Sequence, residues 1–138
     1  MIIFLDANII IYQVEANPAF RDKVRSVVTE IFAEHPDSRF AVSRLSLLEC
    51  LVKPVREGNT TLIERYRSFF TANDLTIVEI GPQVIDRALL LRAVTGLRTP
   101  DAIQAASALS LSESAIFVTG DLSFSKVSVL SSRIIATT

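Results

Sequence analysis

MIIFLDANIIIY, residues 1–12, sets an aspartate and an asparagine among ten apolar residues. The run Ile2-Ile3-Phe4-Leu5 is continuously apolar and β-branched at two positions, which predicts a buried strand of a parallel sheet. A carboxylate directly after such a strand is expensive to bury without a partner. Asp6 therefore has one of two jobs. It is a local residue of the strand end, capping the helix that follows, or it is one piece of a larger site.

Helical and strand patterns alternate through the rest of the chain. Val24, Val27, Val28, Ile31 and Phe32 recur at amphipathic spacing and predict a helix over residues 21–34, broken by His35-Pro36-Asp37. Residues 39–42 predict a short strand. Ser43 or Ser46 can cap the next helix, which carries Leu47, Leu48 and Leu51 and which Pro54 is expected to stop. After a turn at Glu57-Gly58-Asn59, the residues Leu62, Ile63, Tyr66, Phe69 and Phe70 mark another helix. Alternation over 75–80 predicts a strand ending at Gly81-Pro82. Val84, Ile85, Ala88, Leu89 and Leu91 place a helix over 83–95, with Gly96 just beyond its end. Thr99-Pro100 reads as the N-cap and first position of the next helix. Residues 115–118 predict a buried strand and 134–136 a short last one. The alternation predicts an α/β fold: a three-layer α/β/α sandwich around a central parallel sheet, one domain over 1–138.

Composition narrows the class. Hydrophobic residues make up 49% of the 138, enough for a proper core and against disorder. No apolar run approaches the roughly 18 residues of a membrane span, and the first residues lack a basic region and a cleavage site. The expected location is the cytoplasm, with no membrane contact. Cys50 is the only cysteine, so an internal disulfide is excluded, and its apolar context predicts a buried thiol. A net charge of −1 argues against a generally basic nucleic-acid binder. If four acids are set aside as metal ligands, however, 11 remain against 14 Lys and Arg, a balance that permits a phosphate-bearing substrate.

Sites on open parallel sheets gather at the carboxyl ends of strands. Asp6 stands at one such end, and Asp121 stands just after Ala115-Ile116-Phe117-Val118-Thr119-Gly120. Two further acids attract notice, Glu49 and Asp101. Each of the four has an ordinary local reading. Asp6 or Asn8 can cap a helix. Glu49 follows Ser46 by three, the spacing of a capping box. Asp101 lies in a first helical turn, where the dipole favours a carboxylate. Asp121 follows Thr-Gly in a turn. Together, carboxylates converging on one edge repel strongly unless a cation compensates. Oxygen-rich, histidine-poor ligation suits Mg²⁺ or Mn²⁺, and the lone His35 falls in a helix-ending turn. A divalent ion so held fits phosphoester chemistry.

Four ordered blocks bring a family into view: Phe4-Leu5-Asp6-Ala7-Asn8-Ile9, Ser43-Arg44-Leu45-Ser46-Leu47-Leu48-Glu49, Leu97-Arg98-Thr99-Pro100-Asp101-Ala102-Ile103-Gln104-Ala105-Ala106, and Phe117-Val118-Thr119-Gly120-Asp121-Leu122-Ser123-Phe124. The chain resembles PIN-domain proteins, and more narrowly the VapC-type toxin ribonucleases. The resemblance implies a Mg²⁺- or Mn²⁺-dependent endoribonuclease acting on RNA. By position, Asp6, Glu49, Asp101 and Asp121 resemble the family's acidic metal ligands, Asn8 and Thr119 its polar positioning residues, and Arg98 a residue that orients the RNA backbone. It also implies a homodimer and a small antitoxin partner. One departure stands out: many relatives carry a further acid two residues after Asp121, where this chain has Ser123.

Three other readings compete. An RNA-processing nuclease of the same fold would lack the antitoxin. A haloacid-dehalogenase-type phosphatase also starts from a strand ending in Asp, but its chemistry uses a second Asp two residues later, and position 8 is Asn. A non-catalytic binding domain is disfavoured by the intact acidic set.

Overall fold

The computed structural model describes residues 1–135. Among them, β1 (Ile2–Leu5), β2 (Arg39–Ser43), β3 (Leu75–Val78), β4 (Ala115–Thr119) and β5 (Ser132–Ile134) form one parallel sheet in the order β3-β2-β1-β4-β5. The helices α1 (Ala7–Val14), α2 (Arg21–Glu34), α3 (Leu45–Glu57), α4 (Thr60–Phe70), α5 (Pro82–Thr95) and α6 (Thr99–Leu109) cover its faces. A short 3-10 segment, Leu122–Lys126, follows β4. The chain thus forms the expected α/β/α sandwich.

Why β1 is apolar throughout follows from its place. Ile2 pairs with Arg39 on one side and Ala115 on the other, so β1 is central and buried on both faces. Alternation of side chains sends Ile2 and Phe4 into one core and Ile3 and Leu5 into the other. The first core joins α5, α6 and the 3-10 segment to the sheet, with Phe117 stacked on Phe4 at a ring distance of 5.6 Å and tilted against Phe124 at 4.7 Å. The second collects Ile9, Ile10, Ile31, Cys50, Tyr66 and Phe70 from α1 to α4. The chain steps outward from β1 to β3, then returns to place β4 on the other side of β1. That reversal opens a crevice at the carboxyl ends of β1 and β4, where Asp6 and Asp121 lie.

Several boundaries differ from the sequence reading. Pro54 does not stop α3, which runs through it to Glu57 and ends at Gly58 in the left-handed conformation (φ 65°). Pro54 removes one backbone donor, but α3 continues because its packing against α4 and the sheet continues, and Pro54 itself is buried. Leu48 on the same helix is 64% exposed, outside the core. On α5, Ile85 and Leu89 are also exposed, while Val84 and Ala88 are buried. The cap of α6 is Arg98 rather than Thr99, which puts Pro100 and Asp101 one position further in. β3 ends at Val78, short of residue 80. The last strand lies two residues earlier than expected, and Ala136 lies outside the described residues. Gly96 does close α5 in the left-handed conformation (φ 74°), and His35 closes α2. No helix among the described residues is long and apolar enough to cross a membrane.

Candidate active site

Asp6 does both jobs that the sequence offered it. It is the N-cap of α1, where Oδ1 accepts the Ala7 N–H at 2.8 Å. It is also buried, 6% exposed, and Oδ2 accepts the hydroxyl of Thr119 at 2.7 Å. Thr119 is the last residue of β4 and fully buried. Its Oγ1 in turn accepts the N–H of Asp121 at 3.0 Å. Asn8, in the first turn of α1, accepts the Gly120 N–H on Oδ1 at 3.1 Å. Thr119 and Asn8 therefore stitch the turn after β1 to the turn after β4, across the crevice.

Asp121 caps the 3-10 segment, with Oδ1 accepting both the N–H and the hydroxyl of Ser123, at 2.9 and 2.7 Å. Ser123 thus holds one oxygen of Asp121 by donating to it. Glu49 sits in the second turn of α3, half-buried, with Oε1 accepting from Gln104 Nε2 at 2.8 Å. The capping-box reading of Ser46 and Glu49 fails. Arg44 occupies the cap position of α3, and Ser46 lies inside the helix, fully buried. Ser43 takes the cap-like role, its Oγ accepting the Leu45 N–H at 3.1 Å. Asp101, in the first turn of α6, accepts from Arg98 Nε at 3.3 Å, and the Arg98 side chain is 81% exposed on the rim.

Electrostatics shows which acids share the crevice. Burial pushes the Asp6 carboxyl up to about 6, and the charges of Glu49 and Asp101 push the same way. The bonds from Thr119 and Ala7 oppose the shift without cancelling it. Glu49 is also raised, chiefly by desolvation, with Asp101 adding to the rise and Gln104 and Arg98 opposing it. Asp6, Glu49 and Asp101 are therefore close enough to feel one another, while Asp121 is tied to Thr119 by its backbone N–H and its carboxylate is held by Ser123. Among the described residues no three Asp, Glu, His or Cys side chains close on a single point. The nearby Cys50 thiol is not a donor to this crevice: it is buried, directs its proton toward the Ala7 carbonyl at 3.8 Å, and has its pKa pushed up to about 12 by burial.

With this geometry in place, comparison with known proteins assigns the family. A PIN-domain family model matches residues 3–130. The chain belongs to the PIN-domain family. Its fold is similar to that of a VapBC2 complex from Rickettsia felis bound to a DNA fragment from its promoter, with a TM-score of 0.77, 20% identity, and coverage of 99% of this chain and 100% of that one. A toxin–antitoxin complex from Klebsiella pneumoniae matches with a TM-score of 0.72, 19% identity and 98% coverage of both chains. VapBC-1 from nontypeable Haemophilus influenzae matches with a TM-score of 0.69 and 20% identity, over 97% of this chain and 98% of that one. At such identities the likeness establishes the PIN fold. No curated protein sequence matches the chain.

The PIN domain's crevice has the chemistry of a hard-cation site. Its donors are carboxylate oxygens, and its most buried carboxylate, Asp6, holds its proton more tightly than usual chiefly because of burial, with the charges of Glu49 and Asp101 adding to the effect. Sequence reasoning gave no role to Gln104, although it lies inside one of the quoted blocks. A signal was present: Gln104 follows Asp101 by three on a helix whose neighbouring positions are Ala102, Ala105, Ala106 and Ala108. A polar amide on an alanine face is placed to be buried, and Gln104 is 1% exposed. Gly120 also went unassigned. A Cβ there would lie 3.1 Å from the Tyr12 hydroxyl, so glycine admits Tyr12 to the edge of the crevice.

Proposed function

We propose that this PIN domain is a Mg²⁺- or Mn²⁺-dependent endoribonuclease, and the toxin of a toxin–antitoxin pair. One observation carries the reading: an acidic crevice at the sheet's switch point, with a buried Asp6 whose proton affinity is raised by burial and by Glu49 and Asp101. Membership of the PIN family and fold neighbours that are toxin–antitoxin complexes support it.

In this reading Asp6, Glu49, Asp101 and Asp121 hold the ion. Mg²⁺ keeps several waters and needs only one or two direct carboxylates beside substrate phosphate. The carboxylates of Asp6, Glu49, Asp101 and Asp121 would supply oxygen donors of the kind such an ion takes. Bound there, the ion supplies an activated water and neutralises charge on the scissile phosphate and leaving oxygen. The chain's own groups do the rest. Thr119 orients Asp6 through its hydroxyl and Asp121 through the backbone N–H that it accepts. Asn8 keeps the two crevice turns in register. Arg98, on the rim, steers the RNA backbone while its guanidinium also contacts Asp101. With Ser123 in place of a further acid, the site favours one tightly held ion.

Two surfaces support protein partners. A cavity of about 470 Å³ opens beside α2 and α4, lined by apolar side chains that include Leu5, Ile9, Val28 and Phe69. It suits an apolar segment of a small antitoxin. On α5, the exposed Leu89, Leu90 and Val94 offer a second copy of the chain an apolar face, consistent with a homodimer. A cytoplasmic location goes with this proposed activity on cellular RNA.

The assignment is tested by incubating the purified protein with RNA in Mn²⁺. Cleavage is expected, with loss on chelation and loss in Asp101→Asn while circular dichroism stays unchanged. Unchanged cleavage by a purified Asp6→Asn, Asp101→Asn double variant refutes the assignment.

A further inference from the structure

α6 meets α3 and the end of β2 along a polar seam. Ser43, Ser46, Gln104 and Ser107 are each at most 1% exposed, and alanines at 102, 105 and 106 let the elements approach. Ser107 Oγ lies 3.2 Å from Ser43 Oγ. Gln104 spends both amide hydrogens across the seam. Nε2 donates to Ser46 Oγ at 2.9 Å and to Glu49 Oε1 at 2.8 Å. Its carbonyl Oε1 is buried and has no hydrogen-bond partner among the described residues.

The orphaned carbonyl is the informative atom. A buried acceptor without a donor is costly. Turning the amide over would point Oε1 at the Glu49 carboxylate, setting lone pairs against negative charge, so the orientation is dictated by Glu49. Packing gives no reason for an amide here, since a methionine would fill the same volume without an unpaired acceptor. The amide does two things that methionine cannot: it donates to Ser46 Oγ and it holds Glu49. Ser46 and Glu49 are three apart on α3, and so share the face that meets Gln104. Ser46 anchors the amide, and the amide fixes one oxygen of Glu49 and leaves the other free.

We propose that Gln104, anchored by Ser46, is a positioning residue that fixes Glu49 for the divalent cation. The inference rests on the metal-dependent reading above. Outer partners that orient ligands in this way change metal affinity by about 10- to 100-fold when removed.

Mn²⁺ binding to the purified protein, measured by calorimetry, tests it. Gln104→Met is expected to weaken binding about 10- to 100-fold. Its metal-free melting temperature should stay within a few degrees of the wild type, because one orphaned acceptor is removed while Ser46 Oγ loses its partner. The Mn²⁺ concentration giving half-maximal RNA cleavage should rise by the same factor while the plateau stays within a few-fold. A merely structural role would lower the plateau and leave the half-point in place. Binding by Gln104→Met within twofold of wild type overturns the proposal. If Gln104→Met fails to fold, Ser46→Ala decides: a loss of affinity supports the proposal and an unchanged one overturns it. A wild-type protein that binds no Mn²⁺ overturns the metal reading itself, a result distinct from equal binding by both proteins.

Discussion

Replacing Asp6 by asparagine should make the metal-free protein more stable, not less. Asp6 is 6% exposed, and its pKa stands at about 6 in the fold against 3.8 in the reference state. The folded chain therefore binds this proton more tightly than the unfolded chain does. By linkage, stability is fully present below the unfolded pKa and is lost as pH rises through about 6. A gap of roughly two pKa units corresponds to about 3 kcal/mol lost above pH 7. Asparagine has nearly the same shape and caps helices as well as aspartate does, so the bond from Ala7 survives. Its amide meets Thr119 Oγ1 in place of the charged oxygen.

Urea unfolding of wild type and Asp6→Asn at pH 5, 6, 7 and 8, with chelator present, measures the effect. The wild-type midpoint should fall across this range and flatten above pH 7. The variant should change much less and exceed the wild type by about 2–3 kcal/mol at pH 8. For a chain of this length that is on the order of 10 °C in melting temperature. A variant less stable than wild type at pH 8 would refute the reasoning, because it would mean that the capping and Thr119 bonds outweigh desolvation. Parallel pH slopes in the two proteins would refute it as well.

Two further outcomes follow from the same packing. Cys50 should react with a disulfide reagent only as fast as the protein opens, since the thiol is buried with a pKa near 12; a stoichiometric reaction within seconds in native buffer would contradict its placement. Gly120→Val should cost about 1–3 kcal/mol in urea unfolding, because its side chain meets the Tyr12 ring at the crevice edge, and Tyr12→Leu in that background should recover part of the loss.

What the sequence could show depended on how local each cause was. β1 was legible because a central parallel strand is buried on both faces, so Ile2 to Leu5 carry no polar interruption. Asp6 and Asp121 were legible because strand ends and turns are marked by the residues around them. Pro54 misled, since helix propensity is a weak prior and the packing of α3 against α4 overrides it. The Ser46–Glu49 spacing also misled. It fits a capping box and equally fits two residues on one helical face, and only the arrival of Gln104 from 55 residues away distinguishes them. Leu48 and Leu89 have helical spacing within apolar stripes, but each stripe is wider than the face its neighbours cover. Which apolar residues remain uncovered is a property of the assembled layers, and no single segment carries it.

The cost at Asp6 and the proposed metal site are two consequences of one ionisation. Raising pH through about 6 places an uncompensated charge in the crevice and weakens the metal-free fold. The same deprotonation creates the ligand, so Mn²⁺ affinity should rise over the same interval. Stability curves with and without Mn²⁺ should therefore converge near pH 5 and separate toward pH 8, the loaded protein gaining about 2.7 kcal/mol when the ion is at 100 times its dissociation constant. Asp6→Asn should abolish the separation by removing the ligand, while its metal-free curve stays high. Asp121 gives a contrast, since it lies outside the group that raises Asp6 and one of its oxygens already accepts two bonds from Ser123. Asp121→Asn should thus reduce the Mn²⁺ gain while leaving the metal-free pH slope of the wild type intact. A metal-free slope that disappears in Asp121→Asn would place the fourth acid inside the buried group and overturn this division of the site.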